Sequence, residues 1–454
     1  MKPFERLVSA DAWRRQPDTY ERLGQALWAQ GTMPWRATTC TWTANFEADL
    51  ICAFELDARR LGWLDENTPL TVWDVGAGTG RLAFHLARKL QSRGTNFRVV
   101  MTDVARSNVA AWHRQPQLHR LMEAGALQTG VMNVLTDEAP RDLETGAPIA
   151  IGPAVILAHY LFDSLPHSAW RREGGELQEG WVAENTDGTF EWAWRPATSP
   201  PLHVPTAAAH LFPDGAVTAI DRFSRLTDGR FALLAIDKGL NTEPTLARHE
   251  TISAGVNFEA LAEATPSLHW LDSNPSSTLQ VAAAIPPQLR DSTLTRVWRP
   301  PNLVQLLERV VALRDGGGSI HQVLELQRAL HHDPDTLVQL APLIHAQLPT
   351  ASLSQVEAIV ATIARAADRH FILRQRLDVP FELGAMAHAC GALRLAESLY
   401  LSAIAESGEA PASLYNLALI MRSTDRAEYG KALIARVLEL DPGHDRARKL
   451  LGGT

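Results

Sequence analysis

The chain has 454 residues, 46% of them apolar and 21% charged, with a formal net charge of −8 and a pI near 6.1. That length gives room for two or three domains, and that charge excludes the global basic field that would mark a nucleic-acid partner. Cys40, Cys52 and Cys390 are too scattered for a disulfide framework or zinc spacing, no apolar run is long enough to span a membrane, and residues 1–6 lack an apolar signal core, so the expected compartment is the cytoplasm.

In chain order, residues 1–45 are rich in aromatics: Trp13, Tyr20, Trp28, Trp35 and Trp42. Residues 17–30 have the spacing of an amphipathic helix. It is either a lid over a ligand or a cover for an apolar face. Residues 46–61 read as a second helix. Then comes the most informative stretch, Thr71-Val72-Trp73-Asp74-Val75-Gly76-Ala77-Gly78-Thr79-Gly80, followed by a helical pattern from Arg81 to Leu90. This is strand, glycine turn, helix. Glycine removes the Cβ, so a ligand can lie on bare backbone, and the helix N-terminus offers unpaired N–H groups beside it.

Residues 98–103 predict the next strand, ending in Asp103, whose carboxylate can accept ribose hydroxyls. Residues 127–134 predict a third strand, ending in Asn133 and Val134, and residues 154–159 a fourth, ending in His159. The segments 180–184 and 189–194 alternate like hairpin strands inserted after it. Residues 231–237 predict another buried strand, residues 255–261 open a helix, and 269–271 and 279–284 are closing strands. Pro286-Pro287 and Pro300-Pro301 bracket a boundary. Beyond it the pattern is helical to the end, with an internal repeat. Leu383-Gly384, Ala396, Tyr400 and Ala403 recur 34 residues later as Leu417-Ala418, Gly430, Ile434 and Val437. These are tetratricopeptide-like spacings, whereas residues 302–376 are helical with an irregular register. The division is therefore residues 1–45, 46–290 and 300–454.

The glycine spacing is G-x-G-x-G rather than the G-x-G-x-x-G of dinucleotide sites. With Asp74 two residues before Gly76, it resembles motif I of class I S-adenosylmethionine (SAM) methyltransferases. The resemblance implies a Rossmann-like α/β core; the inserted β segments and the all-α, tetratricopeptide-like C-terminal region rest on the alternation and the helical repeat above, and the helical tail is not part of the usual family core. The resemblance also implies SAM held by Asp74, Gly76, Ala77, Gly78, Gly80 and Asp103, with Asn133 and Val134 at the adenine corner. No His/Cys/Asp cluster suggests a metal.

A narrower resemblance is distributed over residues 40–285. Asp74 to Gly80, the run His159-Tyr160-Leu161-Phe162-Asp163-Ser164-Leu165-Pro166, the strand end Ala235-Ile236-Asp237-Lys238-Gly239, and Leu246-Ala247-Arg248-His249 with Val256-Asn257-Phe258 together resemble the MidA-like methyltransferases. Mitochondrial members of that family assist respiratory complex I assembly and methylate a protein arginine. Tyr160, Lys238 and Asn257 stand where the family has glutamate, tyrosine and aspartate. A guanidinium is held bidentately by carboxylates, and Asp163 is the acid that remains in the signature. Asp163 is thus the candidate to orient an acceptor and take its proton; its alternative role is a helix N-cap. His159 and Tyr160 are candidates to line the same mouth.

Three functional readings follow. The first is a SAM-dependent methyltransferase acting on a protein or peptide side chain that the helical repeats recruit. The second is a small-molecule methyltransferase whose tail makes a homodimer. The third is a non-catalytic SAM-binding assembly or scaffold protein.

Overall fold

The structure is a computed structural model that describes residues 3–29, 36–198, 209–239, 246–248, 251–272, 278–373 and 377–452. The chain forms two compact units, Met1–Val304 and Gln305–Thr454. Among the described residues no helix is long and apolar enough to cross a membrane.

The first unit is built on a seven-stranded sheet: β1 (Leu70–Val75), β2 (Phe97–Asp103), β3 (Leu127–Val131), β4 (Ala154–His159), β5 (Phe231–Lys238), β6 (His269–Leu271) and β7 (Leu279–Ile285). Their spatial order is β6-β7-β5-β4-β1-β2-β3. The strands β3, β2, β1, β4 and β5 run parallel, and β7 runs antiparallel to β5 and β6. This is a mixed α/β sheet, as the resemblance to class I methyltransferases implies. β1 is buried along its whole length, which is why it reads as a continuous apolar run rather than an alternating one. Strand order reverses beside β1, which pairs with both β2 and β4. Ligands in open parallel sheets bind at the carboxyl ends of the strands at such a switch point.

Between β4 and β5 the chain makes a separate antiparallel sheet from Ser168–Glu173, Glu176–Glu184, Phe190–Pro196 and Ala209–Phe212. A short strand, Glu5–Arg6, joins it, pairing with Val182 and Trp181. Arg6 and Arg15 anchor the same segment by ion pairs to Glu179 (2.7 Å) and Glu184 (2.6 Å).

Helix boundaries differ from the sequence reading for local reasons. The first amphipathic helix is α1, Gln16–Leu23. It stops at Gly24, whose φ of +49° is left-handed and breaks the helix. A short helix, Ala26–Ala29, follows, while Gln30 and Trp35 lie outside the described residues. The second helix, α2, starts earlier than expected and covers Thr41–Arg60. The third strand ends at Val131 because Asn133 forms a turn, its Oδ1 accepting the Leu135 amide at 3.0 Å.

The proline-bracketed segment belongs to the first unit. Asp57 of α2 is buried, and its two carboxylate oxygens accept the Thr293 (3.0 Å) and Leu294 (2.9 Å) amides. They cap the short helix Thr293–Val297. The glycine loop leads into α3, Arg81–Ser92.

In the second unit, helices α4 (Val379–Ala389) and α5 (Leu393–Ser407) pack as one pair, and α6 (Pro411–Arg422) and α7 (Ala427–Leu440) as the next. The repeated positions Leu383, Ala396, Tyr400, Ala403, Leu417, Ala418, Ile434 and Val437 are all buried. Small residues set the close approach within each pair. A Cβ on Gly384 would fall 2.9 Å from the Tyr400 ring, and one on Gly430 would fall 3.1 Å from the Ala418 carbonyl oxygen.

Gly80 tests this account of the first unit. Its φ is +77°, and a Cβ there would meet Leu118 and Met101 at 2.7 Å. Gly80→Ala should destabilise by about 2–4 kcal/mol, the sum of a left-handed penalty and overpacking. Gly146, also left-handed, has open space at its Cβ position; Gly146→Ala should cost only about 1 kcal/mol. Urea unfolding of both variants checks the difference, and equal losses would contradict it.

Candidate cofactor and acceptor site

A pocket opens at the β1/β4 switch point. The glycine loop from Asp74 to Thr79, Asp103 with Val104, the corner from Met132 to Leu135, and the turn from His159 to Leu161 line it from the sheet side. The N-terminal segment closes it with Trp13, Gln16, Pro17, Tyr20, Trp28, Thr38 and Thr39. The structure thus gathers Asp74, Gly76, Ala77, Gly78, Asp103, Asn133, Val134, His159 and Tyr160 around one cavity. Gly80 and Asp163 stand outside its lining.

Three amides of the glycine loop are paired within the protein. Gly76 and Ala77 N–H both donate to the Thr102 carbonyl (2.8 and 3.0 Å). Gly78 N–H donates to Asp103 Oδ2 at 3.2 Å. The tip of β2 therefore consumes the donors that a dinucleotide pyrophosphate would need. What the loop offers instead is its bare Cα surface. Gly76, Gly78 and Gly80 all have positive φ. Gly76 faces Leu161, whereas the indole of Trp28 roofs Gly78, 2.9 Å from where a Cβ would stand. Gly80 serves packing against Leu118 and Met101 instead of the pocket.

Asp103 is fixed by two amides, Gly78 and Ala105 (2.9 Å). Burial pushes its carboxyl up to about 6, against those hydrogen bonds. A carboxylate has about four lone-pair sites, so capacity remains for hydroxyl donors. Asp74 differs: it is 3% exposed and no donor reaches its Oδ2. Burial pushes it up to about 7; His159 draws it down, and Glu47 and Asp103 push it further up. A buried carboxylate oxygen without a partner is costly, and this one borders the pocket. Unpartnered acid, bare glycine backbone and a hydroxyl-accepting Asp103 together fit a ligand carrying a cation and a ribose.

The turn after β4 shapes the other end. Tyr160 has φ +47°, an unusual conformation for a side-chain-bearing residue. Its amide donates to the Ile236 carbonyl at 2.9 Å. Asp237, at the end of β5, accepts the Phe162, Asp163 and Lys238 amides (2.9, 3.2 and 2.8 Å) and so stabilises the turn. Asp163 does not cap a helix. It is 2% exposed, and its Oδ2 pairs with Lys238 Nζ at 3.0 Å. Lys238 also donates to Ser253 Oγ at 3.0 Å. His159 Nε2 lies 2.7 Å from Glu47 Oε1. Burial pushes the Tyr160 and Tyr20 phenols well above their ordinary value, so both can act as hydrogen-bond donors at neutral pH.

Several of these residues were not singled out from the sequence as site residues. Gln16 bridges the lid to the core, its Nε2 donating to the Ser164 carbonyl (2.8 Å) and its Oε1 accepting the Ile252 amide (3.1 Å). Tyr20 hydrogen-bonds to Thr251 and Ser164. Glu47 sits inside an otherwise helical pattern. A polar residue on the buried face of α2 was the one available signal for Glu47. His249 lies outside the described residues. Among the described residues, no group of three or more His, Cys, Asp or Glu is placed to hold a metal ion.

Residues 59–221 match a family described as "Putative S-adenosyl-L-methionine-dependent methyltransferase". That segment carries the glycine loop, Asp103, Asn133 and the turn after β4. The match supports SAM as cofactor and methyl transfer as reaction class. No curated protein matches the chain. Among solved structures, a protein from Burkholderia thailandensis bound to S-adenosyl-homocysteine is similar at 14% identity, over 64% of this chain and 91% of that one, with a TM-score of 0.41. A native structure from the same organism is similar at 16% identity, over 64% and 90%, with a TM-score of 0.38. A SAM-dependent methyltransferase from Aquifex aeolicus is similar at 12% identity, over 50% and 89%, with a TM-score of 0.26.

Two outcomes test this geometry. Gly78→Val would drive a branched side chain into Trp28 and the cavity, so SAM affinity should fall at least about 30-fold, or about 2 kcal/mol of lost fit. Calorimetry showing wild-type affinity would contradict the loop assignment. Asp74 also makes a stability prediction. Its folded value of about 7 exceeds the ordinary 3.8, so the folded protein holds this proton more tightly than the unfolded chain does. Stability from this group is full below pH about 4 and is lost as pH rises through about 7. The ligand-free Asp74→Asn variant should therefore exceed wild type in stability at pH 8, by up to about 4 kcal/mol. No gain in urea unfolding would mean that Asp74 ionises without cost.

Proposed function

We propose that the chain is a SAM-dependent methyltransferase that modifies a protein or peptide side chain, recruited by its tetratricopeptide-like second unit. One observation carries the cofactor half: a buried acid with an unpartnered oxygen, Asp74, beside bare glycine backbone at the switch point of a parallel sheet. Asp74 would hold a cationic group of the cofactor's methionine end, Asp103 the ribose, and Asn133 and Val134 the adenine. The cofactor supplies an activated methyl sulfonium when bound.

The residues around the mouth have little bond chemistry left to do. Transfer to an activated methyl needs an acceptor held in line at near-attack distance. The Tyr160 and Tyr20 hydroxyls suit that positioning. Asp163 is the candidate to draw off the acceptor's proton, but Lys238 already neutralises it. Asp237 spends its oxygens on three backbone amides. An arginine acceptor would need an available carboxylate to hold it bidentately, and both acids here are already engaged, so this corner suits a nucleophile that arrives uncharged better than a guanidinium. The paired helices of the second unit support the protein or peptide choice, because such arrays present concave surfaces to extended ligands.

Incubating cell lysate with methyl-labelled SAM distinguishes the acceptor classes. Label should enter protein; label confined to small molecules would reject the proposal. A chain ended after Pro301 keeps every pocket residue and the helix capped by Asp57, which a chain ended at Leu289 would lose. The longer truncation should bind SAM with unchanged affinity and lose most of its specificity constant on the natural protein acceptor. An unchanged specificity constant would show that the second unit does not recruit.

A further inference from the structure

The floor of the pocket holds a charged group to which the cofactor reading gives no task. Glu47 lies on the buried face of α2, 1% exposed and behind the pocket lining. Its Oε1 is 2.7 Å from Nε2 of His159, which does line the pocket. Asp74, with its unpartnered Oδ2, faces the same imidazole. Three elements thus bring two carboxylates and one imidazole into one buried cluster: α2, the end of β1 and the end of β4. Two buried carboxylates beside a neutral ring would be severely unfavourable. With a cationic ring the cluster carries a single net negative charge, which one ligand cation can balance.

We propose that Glu47 is a positioning residue for cofactor binding: it fixes His159 as an imidazolium beside Asp74, so that Asp74 stays ionised and open to a cation of the ligand. This rests on reading the pocket as a SAM site. Burial by itself would depress His159, but the Glu47 carboxylate, then Asp74 and the nearby Thr38 backbone raise it above its ordinary value. The groups acting on Asp74 are His159, Glu47 and Asp103, and the influence of His159 exceeds that of Glu47. Removing the Glu47 charge has two opposed effects on Asp74. It relieves a direct repulsion, and it discharges His159. The second is larger, so Asp74 should become harder to ionise.

The experiment measures SAM affinity by calorimetry from pH 6 to 9 for wild type, Glu47→Gln and Asp74→Asn. Wild-type affinity should rise with pH and level off above a midpoint near 7, where Asp74 ionises. In Glu47→Gln the midpoint should move up by about one pH unit, leaving binding about tenfold weaker at pH 6.5 and recovering at high pH. Asp74→Asn should bind weakly and without this pH dependence. S-adenosyl-homocysteine, which keeps the ammonium and lacks the sulfonium, serves as the second probe. Equal shifts for both ligands assign the ammonium to Asp74, and a shift with SAM alone assigns the sulfonium; either supports the proposal. A Glu47→Gln midpoint equal to wild type overturns it, even if the variant is less stable. Should Glu47→Gln not fold, nitrogen NMR of His159 in the ligand-free wild type decides: a neutral ring at pH 7 overturns the proposal, and an imidazolium supports it. Wild type that fails to bind SAM at every pH would instead defeat the reading of the pocket, and this inference with it.

Discussion

Burying a carboxylate forces a fold to supply a partner for it, and this sheet buries four at its carboxyl edge. Asp74, Asp103, Asp163 and Asp237 stand at or just past the ends of β1, β2, β4 and β5, and are exposed by 3, 6, 2 and 0%. The burden is met differently at each. Asp103 takes two loop amides, Asp237 takes three amides of the facing turn, and Asp163 takes the Lys238 ammonium. These contacts hold the glycine loop to β2 and the Tyr160 turn to β5, so the pocket walls depend on them. Asp74 alone of the four has neither a backbone donor nor a salt bridge on its buried oxygen, only the nearby cluster of His159 and Glu47. Asp163 also leaves one buried oxygen, Oδ1, without a partner, but it stands outside the pocket lining, whereas the open oxygen of Asp74 belongs to a residue that lines the cavity.

The cavity wall at Asp74 and the turn behind Tyr160, where Asp163 lies outside the lining, then differ in character. At Asp74 the charge is left open toward the cavity. At Asp163 the protein has already supplied its own counter-ion from β5. Under the proposed reading, such an arrangement would separate the tasks: electrostatic attraction for the methyl donor, and shape with neutral hydrogen bonding for the acceptor.

What could be read from the sequence was whatever depends on neighbours along the chain. The run from Thr71 to Gly80 announced β1, the loop and α3, because apolar continuity, a terminal acid and alternating glycines each have a local cause. Residues 154–159 gave β4 without error for the same reason. The all-helical C-terminal region was legible through apolar residues recurring every three or four positions. Pairings across long stretches were not. Nothing near Asp163 points to Lys238, 75 residues away, and nothing near His159 points to Glu47. The left-handed backbone at Tyr160 was invisible too, because it is enforced by Asp237 and Ile236 from another strand rather than signalled by glycine. The pairing of the loop amides was out of reach as well, because the Thr102 carbonyl that accepts Gly76 and Ala77 belongs to β2.

The strap made by the N-terminal segment has a consequence in time. Residues 5–16 have their partners outside the segment far along the chain, among them Ser164, Glu179, Val182, Glu184 and Ile252. During synthesis at roughly 5–20 residues per second, they leave the ribosome well before those partners exist. For that interval Trp13, Tyr20 and Trp28 have no cavity to close, and their aromatic surface is open to chaperones or to wrong contacts. Docking must wait until the insert and the strand at Ile252 have emerged, so the roof of the cavity is a late event in folding, governed by the closure of loops longer than most small domains.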